Sequence, residues 1–163
     1  MRTLWATSIL IFLASCAVNK STNTFHPFNG NQVSCGNFIA YKLTDDNDEY
    51  VSVSFSASEV DFTESQVFGI GKAKVLEVRR KKYNGPISST LCNDVMPAEM
   101  PDKVSDEVAT SGLVEILLSQ EDIEKAKNGQ PYSVTIILKD VQFTEMTIDY
   151  LRIEKTNVGW LPG

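Results

Sequence analysis

Histidine is nearly absent from this chain: His26 is the only one in 163 residues. It stands beside Pro27 in a polar stretch, where an imidazole is ordinarily solvated, and its isolation removes the Ser–His and Cys–His pairs that usually activate a nucleophile. A phosphate cradle is missing too, because Gly69-x-Gly71 has no third glycine and no following helix. Positive charge is in deficit, with 15 Lys and Arg against 21 Asp and Glu for a net charge of −6. Such a chain has no electrostatic reason to gather nucleic acid or anionic lipid headgroups. There is no internal repeat. These absences leave no cofactor to expect. Of the common catalytic devices, they leave only a pair of facing carboxylates.

Long apolar runs are lacking as well, apart from one block at the N-terminus. Met1-Arg2-Thr3 carries a single positive charge and leads into Ile9-Leu10-Ile11-Phe12-Leu13-Ala14, the charge-then-apolar order of an export signal. A spanning helix needs about 20 apolar residues, and this block gives way to Asn19-Lys20-Ser21-Thr22-Asn23 well before that. Leu13-Ala14-Ser15-Cys16 resembles the lipobox of bacterial lipoproteins, which the lipoprotein signal peptidase cuts just before cysteine. The resemblance covers only the first sixteen residues. It implies that residues 1–15 are removed and that Cys16 receives a diacylglycerol and further acyl chains, so that the protein holds the membrane through N-terminal lipid. It also implies a lipid-anchored place in the bacterial cell envelope. Ala17 stands where an aspartate would retain an enterobacterial lipoprotein at the inner membrane, so the expected location is the outer membrane.

The cysteine count agrees with that reading. Three cysteines are present, and an odd number in an exported protein calls for an explanation. With Cys16 lipidated, Cys35 and Cys92 remain to form a disulfide in an oxidising compartment. Loss of residues 1–15 removes Arg2 and no acid, taking the net charge from −6 to −7.

The mature chain divides into a lipidated tether over 16–32, polar except for Phe25 and Phe28, and a single domain over 33–163. From Val33 the pattern has period two. Ile39, Tyr41 and Leu43 alternate with their neighbours. Beyond Asp45-Asp46-Asn47-Asp48-Glu49, Val51, Val53, Phe55 and Ala57 point one way while Ser52, Ser54, Ser56 and Ser58 point the other. The acidic stretch is therefore a hairpin loop. A third strand is expected from about Val67 to Lys82, with Ile70, Leu76 and Val78 inward and Gly69 and Gly71 as bends. Residues 84–111, with Pro86, Pro97 and Pro101, lose the rhythm and read as a long connection stapled by Cys92. Leu113 to Leu118 resumes as a strand. A short helix follows over Gln120–Lys127, capped by Ser119 and stopped by Asn128-Gly129. Two strands end the chain, the first with Val134, Ile136 and Leu138 on one face. The second shifts phase from Met146, Ile148 and Tyr150 to Leu151 and Ile153, implying a bulge near Tyr150-Leu151. The fold expected is mostly β, an antiparallel sandwich with one short helix, for which immunoglobulin-like connectivity is one option; a small barrel is the alternative.

Four features invite chemistry. Asp45, Asp46, Asp48 and Glu49 could offer oxygens to calcium, but they lack the EF-hand glycine and distal glutamate, and hairpin tips are often acidic simply because they are solvated. Met96 and Met100 near Cys92 could offer soft sulfur to copper, though a disulfide would withdraw the thiolate, and such methionines commonly seat a loop on a core. Arg79-Arg80-Lys81-Lys82 falls into two pairs on opposite faces of a strand, protecting it from stray pairing. The connection from Pro86 to Gly112, pre-shaped by prolines and a disulfide, is a surface for a protein or glycan partner, or else a lid over one end of the sandwich. No metal is therefore expected, nor nucleic acid. The reading is a non-enzymatic envelope protein with a binding or structural role. The alternatives are a tethered hydrolase using paired carboxylates and an extracytoplasmic calcium or copper protein.

Overall fold

The computed structural model describes residues 27–35, 39–55, 63–72, 76–87, 91–93 and 99–158, with the side chains of 155–158 left aside. The export segment, Cys16, His26, Ala57 and Met96 lie outside the described residues. Among those described, the strands are β1 (Gln32–Cys35), β2 (Ile39–Leu43), β3 (Glu49–Phe55), β4 (Gln66–Gly69), β5 (Leu76–Tyr83), β6 (Lys103–Val108), β7 (Ser111–Leu117), β8 (Tyr132–Gln142) and β9 (Thr147–Val158). One helix, α1 (Gln120–Lys127), precedes β8. The strands form two antiparallel sheets ordered β1-β2-β3-β5-β6 and β4-β7-β8-β9.

Period-two alternation places the main core between the sheets. Val51, Val53, Phe55, Leu76 and Val78 from the first sheet meet Val114, Ile116, Val134, Ile136, Leu138, Ile148 and Ile153 from the second. The expected sandwich is thus present. Its connectivity differs from the immunoglobulin order, in which the third strand joins the sheet opposite the first two; here β1, β2 and β3 are neighbours in one sheet. Nor is there a barrel. At one open side the edges of β1 and β9 are bridged by the Gln32 side-chain amide, which donates to the Glu154 carbonyl and accepts from the Glu154 N–H at 3.1 Å. One side chain thus satisfies strand-edge groups that would otherwise invite another chain.

Several elements follow their local chemistry. Ser119 caps α1 by accepting from the Asp122 N–H at 3.1 Å, and the helix ends at Asn128 with Gly129 in the left-handed region. The acidic stretch makes the β2–β3 turn, with Asn47 at φ 58° and the Thr44 N–H bonded to the Glu49 carbonyl at 2.9 Å. The side-chain phase does change between Ile148 and Leu151, and it changes at the same level on β8, between Leu138 and Val141. The bulged residue is Asp140 on β8 (φ 52°), where the pairing with β7 slips between Ser111 and Leu113. Gly112 lies opposite at φ 129°, and a Cβ there would stand 2.7 Å from Val141 Cα, so glycine is required.

Three expectations are corrected. The strand expected over Val67–Lys82 is two strands in different sheets, because Ile70-Gly71-Lys72 turns the chain with Gly71 at φ 79°. Phe28, in the stretch expected as a tether and ahead of the boundary expected at Val33, is buried in the main core. And the connection beyond Pro86 is not irregular throughout, since Lys103–Val108 forms β6. That strand has little apolar alternation of its own. It is held by opposite charges across the ladder, with Asp106 facing Lys81 and Glu107 facing Arg80.

Candidate functional site

Two constellations are assembled by the first sheet, one on each of its faces. On the outer face, Tyr41, Leu43 and Tyr50 from β2 and β3 would lie open to water if the chain after β5 did not return over them. Ile87 is buried against Leu43 and Tyr50, with Val33, Tyr41, Tyr83 and Leu91 around them. The Ile87 N–H bonds the Asn47 carbonyl at 2.8 Å, and the Cys35–Cys92 disulfide pins the returning chain to edge strand β1 with Cα atoms 5.3 Å apart. The rings pack edge-on (Tyr41–Tyr50, 5.1 Å between centroids) and stacked (Tyr50–Tyr83, 6.3 Å). Burial, reinforced by Tyr83, pushes the Tyr50 phenol far above the ordinary tyrosine range, and burial raises Tyr41 in the same direction.

The inner face carries charge. Leu76 and Val78 of β5 point into the core, and Arg80 is next in phase. It lies buried between strands, directly opposite Val51 on one side and Glu107 on the other. Its Nε donates to Glu49 Oε1 at 2.5 Å and its Nη1 to Glu107 Oε1 at 2.8 Å, with Glu145 Oε2 3.5 Å away. Glu107 Oε2 accepts from the Thr144 N–H at 2.8 Å, so the cluster joins the first sheet to the β8–β9 turn of the second. Burial works against the guanidinium charge, but Glu49 and then Glu107 outweigh it and hold its pKa above the ordinary arginine value.

On the outward phase of the same strand, Arg79 bonds Glu77 and Asp106, both at 2.8 Å, while Lys103 reaches Asp106 at 2.9 Å. The basic run therefore does split into two faces, each neutralised by neighbouring acids. Burial would raise the Asp106 carboxyl, but bonds from Lys103 and Arg79 hold it below the usual range; the Arg79 bond does the same for Glu77. A carboxylate with a depressed folded-state pKa adds stability above its unfolded value, about 3.9 for aspartate, and loses it as pH falls through the folded one. Wild-type stability is therefore expected to drop steeply below about pH 4. Asp106→Asn is expected to be less stable at neutral pH and to have a shallower acid limb, measured by urea unfolding across pH.

The sequence-level candidates are placed as follows. Asp45 and Asp46 are exposed, Asp48 accepts from Thr44 Oγ1 at 2.9 Å, and Glu49 turns inward to Arg80. The four do not converge, and among the described residues no group of three or more His, Cys, Asp or Glu is placed to hold a metal. Cys92 is committed to the disulfide and offers no thiolate. Among the ion-paired carboxylates of the described residues the most enclosed, Glu49 and Glu107, are both clamped by Arg80. Along the connection Ile87 is buried and Leu91 and Met100 are partly so, whereas Val104 on β6 is exposed. Its described beginning therefore acts as a cover over the tyrosines. The inward phase of Arg80 was readable from Leu76-x-Val78-x-Arg80; the tyrosine cluster, built from three separate strands, left no local signal. Among the described residues no helix is long and apolar enough to cross a membrane, which says nothing of crossing by strands.

Fold and site together define a disulfide-stapled antiparallel β-sandwich. No protein-family model, curated protein or solved structure matches the chain.

Proposed function

We propose that this protein is a lipid-tethered component of the bacterial cell envelope whose sandwich serves binding or structural support rather than catalysis. The observation that carries the reading is the lipobox Leu13-Ala14-Ser15-Cys16, together with the fate of the cysteines: Cys35 and Cys92 occupy each other, and Cys16 remains. The disulfide itself suits an oxidising, extracytoplasmic compartment. Ala17 favours the outer membrane. The acidic net charge leaves membrane attachment to the acyl chains, which together anchor far more firmly than one. A catalytic use of Glu49 and Glu107 is disfavoured because Arg80 engages both.

Metabolic labelling with a fatty-acid analogue tests this reading. Wild type is expected to take up label and fractionate with membranes, while Cys16→Ala accumulates as an unlabelled, uncleaved or soluble species. Equal labelling of the two would refute the lipid anchor.

In this reading the partner is a protein or glycan that meets the stapled connection, where Pro86, Glu99, Asp102 and Lys103 are exposed on a base fixed by the disulfide. Substituting Glu99, Asp102 and Lys103 together is expected to remove neighbours recovered by crosslinking and pull-down, with circular dichroism showing that the variant stays folded despite the lost Lys103–Asp106 pair. An unchanged set of neighbours would exclude this surface.

A further inference from the structure

The two sheets treat their outer faces differently. The chain itself covers the first, laying Ile87 and Leu91 over the tyrosines. The second carries two cross-strand rows, Val67–Glu115–Ile137–Arg152, in which Ile137 is itself buried, and Gly69–Leu113–Lys139–Tyr150, with Leu117 opposite Thr135 beyond them. Val67, Leu113, Leu117 and Tyr150 are between 37% and 61% exposed there, and they are four of the six large apolar side chains that stand exposed among the described residues. An apolar concentration of this kind, interleaved with charge, marks an interaction surface more often than chance does.

The charges on this face select the occupant. Glu115 pairs with Lys139 at 2.7 Å and Arg152 with Glu154 at 2.8 Å, so these four charges cancel on a chain whose net charge is −6. Two copies of an acidic protein repel through most of their surface, and here they would not. Acid on β7 and base on β8 also mean that the same patch carries both members of each pair. A twofold contact needs such self-complementarity, because Glu115 of one copy can meet Lys139 of the other, twice, with no charge left over. A uniformly charged partner would leave half of them unpaired.

We propose that the outer face of the β4-β7-β8-β9 sheet is a homodimer interface, in which two copies of this protein stack face to face about a twofold axis. This does not rest on the lipid anchor. The test sizes the full chain as the cell produces it, in density-matched detergent if it is recovered from membranes and in buffer alone if it is not, by sedimentation equilibrium. Wild type is expected at twice the chain mass. Leu113→Glu with Leu117→Glu is expected at the single-chain mass, and Tyr150→Glu, a milder change at the same face, is expected to raise the dissociation constant at least about tenfold, or 1.4 kcal/mol. Val104→Glu with Val108→Glu, the same chemical change on the outer face of β6, is expected to remain dimeric. Circular dichroism melts establish that each variant is folded, and Tyr150→Glu decides the matter if the double variant is not. A wild type that stays monomeric at every concentration, a dimer that survives both face changes, or equal loss in the β6 control would overturn the proposal. Crosslinks in cells that join this face to a different protein, with a monomeric purified chain, would overturn it in favour of a heterologous partner.

Discussion

Replacing Arg80 by methionine is expected to destabilise the fold by about 3–5 kcal/mol, the usual consequence of removing one member of a buried ionic cluster. The guanidinium is almost enclosed and stands between Glu49 and Glu107. Without it, two carboxylates remain close together in a site partly shielded from water, and their repulsion and desolvation are no longer offset. The loss is expected to be non-additive. Adding Glu49→Gln and Glu107→Gln to Arg80→Met should recover a substantial part of the stability, because the charges that then remain, Lys82 and Glu145, are open to water and the Thr144 N–H keeps an acceptor at position 107. Urea unfolding of the single and triple variants measures this. A loss under about 1 kcal/mol for Arg80→Met would show that the cluster is solvated and does not hold the sheets together.

The second large effect concerns the staple. Cys35→Ser with Cys92→Ser is expected to lower stability by about 4 kcal/mol in the chain-entropy model, since the bond closes a loop with a sequence separation of 57. It should also loosen one region more than the rest. Freed from β1, the chain carrying Ile87 and Leu91 holds less firmly to Tyr41, Tyr50 and Tyr83, so those rings gain water. The Tyr50 phenol, raised by burial in the native protein, is then expected to titrate nearer its ordinary range, visible in the ultraviolet absorbance of tyrosinate on raising the pH. Amide exchange at Ile87 should quicken before exchange in the main core does. A variant within about 1 kcal/mol of wild type, with an unchanged tyrosine titration, would mean that the cover stays in place without the bond.

Much of this architecture was legible wherever a local rule and the tertiary environment agree. The helix is marked at both ends, by Ser119 and by Asn128-Gly129, and the structure places it within those marks. Val51-x-Val53-x-Phe55 faces the main core as its alternation requires, although Ser52 on the opposite phase is buried as well. The failures lie where stability comes from distant partners. β6 is a strand because the acids of Lys103–Val108 meet the cations of β5, and no apolar period announces that. Phe28 sits in a polar stretch and is fixed only by a core made of other strands. The outer tyrosines carry no local mark as a cluster, because they are enclosed by a segment that returns from elsewhere in the sequence. At the candidate site the same division holds. The Cys35–Cys92 pairing followed from counting cysteines, while the inward turn of Glu49 toward Arg80 depended on a register between β3 and β5 that sequence alone did not contain.

The most direct measurement of the proposed anchor is the mass of the N-terminal peptide, released by protease from protein isolated from membranes. The lipid-tethered reading expects the chain to begin at Cys16, carrying a thioether-linked diacylglycerol and, where the amino group is acylated, a further acyl chain, with residues 1–15 absent. A chain that begins elsewhere, or that begins at Cys16 with a free thiol, would contradict it.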